Sequence, residues 1–344
     1  MSLDPADIKG AGARVGSAVS TLDPEAAEPV VKEIAGLSPG RLALRRLLHD
    51  KLTMASLVIS FVFILLAILS PVLVSLKVID PLTNHKELLD ASRGFLPKGD
   101  WGGISWAHPL GVEPGIGRDL LSRILLGITT SLTIALSAAL IAVVVGTVLG
   151  IISGYMGGPI DFWINRLIDM TLSFPQTLML LALSGMLTEV LITVVHVPRG
   201  DIANATYIIL VLGLFGWPSM ARIIRGLVLS QREREYVEAA RSLGATRRRI
   251  WFTELLPNLW APILVYGTLL LPAYVSAEAA LSFLGVGVKP PTPTLGNVLT
   301  DSISYPRSDF TFFFFPALFI AIIVMSFNLL GDGLRDALDP KGDR

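Results

Sequence analysis

Glu235-Tyr-Val-Glu-Ala-Ala-Arg-Ser-Leu-Gly-Ala-Thr-Arg-Arg-Arg-Ile-Trp-Phe-Thr-Glu-Leu-Leu-Pro257 is a charged stretch, dense in arginine, set between two apolar runs. Its first part, residues 232–243, suits a short helix in which Tyr236, Ala240 and Leu243 fall at i, i+4 and i+7 and form one apolar face. Ala239 and Ala240 allow a partner's surface to come close. Gly244 stands where a helix end takes a left-handed residue, and Thr246 is placed to cap the turn that follows. Arg247, Arg248 and Arg249 come next, and Pro257 lies at the start of another apolar run. The spacing predicts a compact helix-turn-helix knob held on a membrane anchor.

Ala-Ala-x-x-x-Gly before a basic segment also matches a DNA-binding helix-turn-helix. That motif sits in a domain with its own core, and chains below about 40 residues rarely fold without staples or metals. Fewer than 30 residues separate the apolar runs here, which argues against nucleic acid as a partner. A solvated arginine-rich loop accounts for the charge, because cytoplasmic loops collect Arg and Lys. It does not account for Glu238-Ala239-Ala240, Gly244 and Leu256-Pro257 at this spacing.

The rest of the chain sets the class. Its 344 residues are 52% hydrophobic and 16% charged, with a mean hydropathy of +0.64, values that suit a multispan membrane protein. The formal net charge is zero. Without cysteine there is no disulfide, thiolate metal site or cysteine nucleophile. Residues 1–40, rich in Ala, Gly, Pro, Asp and Glu, read as a disordered cytoplasmic tail, and no signal peptide is apparent. Residues 41–340 read as the membrane domain.

Six apolar runs are long enough to cross a bilayer, for which about 20 residues suffice. They cover about 52–74, 131–153, 168–188, 204–221, 259–283 and 310–330. Pro175 falls inside the third and should kink it. Asp161 and Arg166 mark a short turn between the second and third. Residues 75–130 are a long polar segment of nearly balanced charge, expected outside, with Trp101 and Trp106 at the interface; residues 189–203 are a second outer loop. His108, followed by Pro109, is read as a turn residue because no second His lies nearby in the chain. Basic residues before the first span predict an inside N-terminus. The strongest positive cluster, around residues 230–257, is also expected inside, and four spans between the two satisfy both demands.

Glu238-Ala239-Ala240, three residues, Gly244, then Leu256-Pro257 resembles the cytoplasmic loop of ABC importer permeases. Glu254 stands where that family often has His. Further likeness to the dipeptide, oligopeptide and nickel branch runs through His108-Pro109-Leu110-Gly111, Gly117-Arg118-Asp119, residues 281–287, Pro290-Pro291-Thr292-Pro293 and residues 331–336. Val112-Glu113 replace the usual Thr-Asp. The resemblance implies an all-α polytopic permease with six transmembrane helices and a cytoplasmic coupling helix, in a bacterial inner membrane with both termini cytoplasmic. It implies a homologous permease partner, two ATPase subunits or one fused ATPase that bind the ATP and Mg, and an extracytoplasmic solute-binding protein. Carried onto this chain, the ATPase-docking positions are Tyr236, Glu238, Ala239, Ala240, Gly244, Ala245, Arg248 and Pro257.

No reaction is legible. Gly285-Val286-Gly287-Val288-Lys289 lacks the phosphate-loop spacing, and four scattered histidines give no metal site. The chain is therefore expected to be no enzyme and to hold no cofactor of its own. Glu278 lies well inside an apolar run, where a charge costs about 2.5–3.5 kcal/mol on insertion scales. It is read as lining a translocation pathway, contacting another subunit, or reaching interfacial water; Pro175 joins it as a pathway or inter-subunit position. Peptide import is the favoured function, import of nickel or another small solute the second, and a self-contained secondary transporter the third, although paired inverted repeats are not apparent.

Overall fold

A computed structural model describes residues 39–338 of the chain. After α1 (Pro39–His49), the spans begin with α2 (Lys51–Ser75), whose first turn is capped by Asp50 accepting from the Leu52 and Thr53 amides. A segment with two 3-10 turns and a short hairpin, β1 (Leu89–Asp90) against β2 (Leu96–Pro97), leads to α3 (Leu120–Met156), capped by Asp119. Then come α4 (Gly158–Ser173), α5 (Gln176–Thr193), α6 (Asp201–Gln231) and α7 (Glu235–Ser242). α8 (Arg247–Arg249) runs through a π-helical turn (Ile250–Leu255) directly into α9 (Leu256–Phe283). α10 (Leu295–Ser302) and α11 (Phe310–Leu338) complete the order. Six helices among the described residues are long and apolar enough to span a membrane: α2, α3, α5, α6, the continuous Arg247–Phe283 and α11. The protein is an all-α, multi-pass membrane protein.

Several expected boundaries move. The expectation for the tail falls outside the described residues, except that residues 39 and 40 open α1. The polar segment ends at residue 119 rather than 130, because α3 continues upstream of the apolar run. The inner turn at Asp161 and Arg166 is instead the sixteen-residue helix α4. Pro175 does not kink a helix; it divides two. A residue before proline is pushed out of the αR region, so Phe174 goes extended at ψ 135° and Pro175 becomes the residue that precedes α5. The second loop shortens to residues 194–200, since α5 reaches Thr193 and α6 starts at Asp201.

Beyond Leu42 the chain forms one compact unit whose backbone is the parallel pair α3 and α6. Gly146, Gly150 and Gly154 repeat every fourth residue on α3, and the α6 residues Met220, Ile224 and Val228 pack directly on them. Small residues let the backbones approach, which is how apolar helices gain contact where lipid offers no hydrophobic drive. A Cβ at Gly150 would lie 2.7 Å from Ile224 Cβ and 2.8 Å from the Ala221 carbonyl oxygen. Gly150→Leu should therefore lower stability by about 1–3 kcal/mol through forced separation of the pair. Thermal unfolding in detergent measures this, and an unchanged transition would refute the close packing.

α9 and α11 pack alongside, and α2 lies on α3 and α11, with Phe63 edge-on to Phe319 at 6.2 Å. Gly333 near the end of α11 meets Thr53 at the start of α2. The start of α2 and the ends of α3, α6 and α11 thus share one end of the bundle with α7 and α8. The opposite end carries residues 76–119 and α10.

Candidate functional site

The knob is built by its turn. α7 has Glu235 and Glu238 in its first turn and Arg241 in its last, each favourable to the helix dipole. At its end the Ala245 amide donates to the Ala240 carbonyl and the Gly244 amide to the Arg241 carbonyl, both at 3.0 Å. This is a Schellman closure, and it needs the left-handed φ of +79° that Gly244 supplies. Thr246 then accepts from the Arg249 amide at 3.4 Å and starts α8. The motif's Gly and Thr do what their spacing predicts.

The inward side of α7 belongs to a residue outside that apolar pattern. Val237, not Tyr236, Ala240 and Leu243, is the anchor: it is fully buried among Ile151, Ile224, Val228, Ile250, Leu255 and Leu259. Tyr236 is exposed and Leu243 is 89% exposed. In a helix of eight residues the i, i+4, i+7 pattern does not say which side turns inward. Glu238, Ala239, Gly244 and Pro257 are also exposed, and Ala240 and Ala245 are half-buried. Tyr236 borders a groove of about 770 Å³ with Gln231, Glu233, Arg234, Glu235 and Asn258. Arg248 turns elsewhere, toward an apolar cleft against α3, so the structure does not bring it together with that groove.

The knob's charge is partly spoken for. Arg225 makes a two-point contact with Asp161 on α4 at 2.6 and 2.7 Å, and Arg222 lies 2.8 Å from Asp169. The Arg225 guanidinium, helped by Ser153 and Asn165, holds the Asp161 carboxyl at about 2, so this clamp of α4 onto α6 is charged at any ordinary pH. Arg232 pairs with Glu233, and Arg241 sits 5.7 Å over the Tyr155 ring. Arg234, Arg247, Arg248 and Arg249 form no salt bridge among the described residues.

Glu278 faces neither water nor an open side of this chain: it is completely buried. Ser131 on α3 and Ser282 on α9 each donate to it at 2.8 Å, and the Thr294 hydroxyl and Gly296 amide also turn to it. The Leu295 amide in turn donates to Ser131 at 3.0 Å. Gly296 permits the approach, since a Cβ there would lie 2.7 Å from Ala279 Cα. The Glu278 carboxyl group fastens the N-terminus of α10 onto α3 and α9. Its expected place on a pathway, at a subunit contact or at interfacial water is thus replaced by an internal one. Pro175 is exposed, on a helix pair of which α5 buries little besides Leu180 and Leu191.

A second buried cluster lies at the same end as α10. Glu113 accepts from Arg118 at 2.6 and 2.9 Å and from Arg123, which also reaches Asp301 at 3.4 Å. Arg123 is wholly buried although it belongs to the first turn of a span. Burial pushes the Asp301 carboxyl above its usual range, against the pull of Arg123. His108 contacts Asp119 at 2.9 Å, and the His85 ring lies tilted against the His108 ring at 5.0 Å, so a second histidine does lie nearby, brought from 23 residues earlier in the chain. The Gly117-Arg118-Asp119 motif marked this place, but separations in sequence hid its partners.

Comparison with known proteins agrees with this geometry. Residues 146–343 match the family described as binding-protein-dependent transport system inner membrane component, and residues 38–87 match the N-terminal TM domain of oligopeptide transport permease C. The dipeptide transport system permease protein DppC of Alkalihalophilus pseudofirmus is 36% identical over 91% of this chain and 93% of its own length. The oligopeptide transport system permease proteins OppC of Escherichia coli and Bacillus subtilis are 34% and 36% identical, over 90% and 92% of this chain and 93% of each relative. A solved structure of the MetNI methionine ABC transporter in inward-facing form shares the fold at a TM-score of 0.51, with 20% identity over 64% of this chain and 98% of that one. The chain belongs to the family of binding-protein-dependent transport system inner membrane components.

Proposed function

We propose that this protein is the permease subunit of an ATP-driven importer of short peptides. The observation that carries the reading is the knob: a helix locked to the bundle by Val237 while Tyr236, Glu238, Ala239 and Leu243 stay uncovered. Relatives named for dipeptide and oligopeptide transport support the substrate class. In this reading the knob end is cytoplasmic, in a bacterial inner membrane, with both termini on that side. A second, homologous permease completes the pathway. Two ATPase subunits, or one fused ATPase, bind ATP with Mg and receive the knob, and an external binding protein delivers peptide to the opposite end. This chain itself carries out no hydrolysis.

The mechanism follows from connectivity. α6 runs into the knob and α8 leaves it through the π turn into α9. The Schellman turn and Val237 hold α7 as a rigid piece, so a push on α7 reaches both spans. Closure of the ATPases then tilts α6 and α9 and switches the side to which the pathway opens, a rigid-body transition of packed helices. Proteoliposomes holding the complete transporter and its binding protein test the proposal. ATP-dependent accumulation of labelled di- to pentapeptides is expected; accumulation of nickel or another small solute without peptide would contradict the substrate class.

A further inference from the structure

At the end of the bundle opposite the knob, α5, α6 and the chain just beyond α9 border a polar cavity of about 200 Å³. Ser184, Thr188 and Glu189 come from α5, Asn204 from α6, and Lys289 from the segment after α9. Gly185 keeps one side clear, since a Cβ there would meet nothing within 4 Å. Ser184 with Thr188 and Gly185 with Glu189 stand four residues apart, so they form one stripe along α5. This span buries only Leu180 and Leu191 in the chain, and a stripe of this polarity suits a water-filled path better than lipid.

The frame of the cavity is fixed while its charges are spare. The Tyr207 hydroxyl on α6 donates to the Leu180 carbonyl on α5. Asn297 donates to the Val288 carbonyl at 3.1 Å and the Thr292 carbonyl at 2.9 Å, which pins the backbone on both sides of Lys289. The Lys289 ammonium has no hydrogen bond or ion pair among the described residues, and neither the Thr188 nor the Asn204 side chain is engaged there. Ser184 donates to the Leu181 carbonyl at 2.8 Å and keeps its lone pairs. The Glu189 carboxylate meets only Arg199, at 3.7 Å, with both side chains exposed; such a pair contributes little, so exchanging it costs little. Glu189 and Lys289 do not pair with each other, which leaves room between them.

An occupant must carry both signs, because a lone cation would be repelled by Lys289 and a lone anion by Glu189. It must also fill a space several times the share of one water, about 30 Å³. A zwitterionic lipid headgroup offers both signs, but its acyl chains would find Val286 as their only apolar wall. A dipeptide offers an ammonium at one end, a carboxylate about 7 Å away, and amide groups between them for Thr188, Asn204 and Ser184. We propose that this cavity is a subsite on the transport path that takes a short peptide by its ends, with Glu189 receiving the terminal ammonium and Lys289 the terminal carboxylate. Resting on the peptide substrate proposed above, this assignment adds that the permease itself discriminates peptide ends.

Photolabelling tests it on the assembled membrane complex in phosphatidylglycerol nanodiscs, without the binding protein, so that the discrimination measured is the permease's own. Alanyl-photoleucine, a dipeptide with a diazirine side chain, should label residues 184–189 and 285–289. Alanyl-alanine should compete about tenfold better than its N-acetyl or its C-amide form, the worth of one charge-assisted contact. Lys289→Met should erase the preference over the amide and keep that over the acetyl form; Glu189→Gln should do the converse. Both residues are exposed, so neither change endangers folding. Arg199→Gln should keep both preferences, whereas a Glu189 that serves only its ion pair would make Arg199→Gln and Glu189→Gln behave alike. Label confined elsewhere, preferences that survive both cavity variants, or label lost when phosphatidylethanolamine replaces phosphatidylglycerol would overturn the subsite. Peptide uptake by the same complex with its binding protein keeps the two readings apart: uptake with label elsewhere sinks the subsite alone, and label as expected without uptake sinks the substrate class alone.

Discussion

Glu238→Lys and Gly244→Asp should each leave the protein inserted at its normal level while peptide uptake falls by about tenfold or more and ATP hydrolysis continues. Neither change threatens the bundle. Glu238 is exposed, and its loss from the first turn of α7 costs about 0.3–1 kcal/mol in dipole interaction. A Cβ at Gly244 meets nothing within 4 Å, so the penalty there is backbone strain at φ +79°, about 1–2 kcal/mol. Both, however, lie on the uncovered face. Reversing a charge inside a protein interface commonly costs about 2–5 kcal/mol, and about 1.4 kcal/mol is a factor of ten in affinity. Peptide uptake, membrane abundance and ATPase rate measured on the same preparation decide the matter; uptake at the unaltered rate would contradict a docking role for this face.

Glu113→Ala should be the most destabilising single change in the polar cap. Glu113 is 3% exposed and answers two arginines, of which Arg118 is 6% exposed and Arg123 is not exposed at all. Removing it leaves Arg123 with Asp301 at 3.4 Å and Arg118 with no salt-bridge partner among the described residues. Taking away one partner of a buried ion pair typically costs about 3–5 kcal/mol, because the charge left behind is not resolvated. Replacing Glu113, Arg118 and Arg123 together with apolar residues of similar volume should cost less than the single change. Thermal unfolding in detergent orders the variants; if Glu113→Ala were milder than the triple replacement, the cluster would not be held by its charge balance.

Much of this architecture is legible along the chain, and the reasons for the exceptions are physical. Long apolar runs have no other stable arrangement, so the spans announce themselves. Gly244 and Thr246 are legible because capping is local: the residues that need each other are within five positions. Pro175 was visible as a disruption, yet whether a proline kinks or divides depends on its predecessor, and Phe174 took the extended conformation. The inward side of α7 is not legible, because in so short a helix it is made by one residue, Val237. Glu278 stands out along the chain as a carboxyl group inside an apolar run. Its solution, two serines and the start of α10 drawn from three separate stretches, required the fold. The same holds for His85 with His108 and for Arg123 with Asp301, whose partners meet only after the cap has closed over the bundle.

Leu243 offers the sharpest test of the knob's role, because it is 89% exposed at the tip and the chain contains no cysteine. Leu243→Cys therefore provides a single reactive thiol for a membrane-impermeant maleimide. Labelling is expected in inverted membrane vesicles and not in intact cells, and it should be suppressed when the ATPase subunits are assembled on the permease. Labelling from the outside of intact cells, or equal labelling with and without the ATPases, would contradict the account.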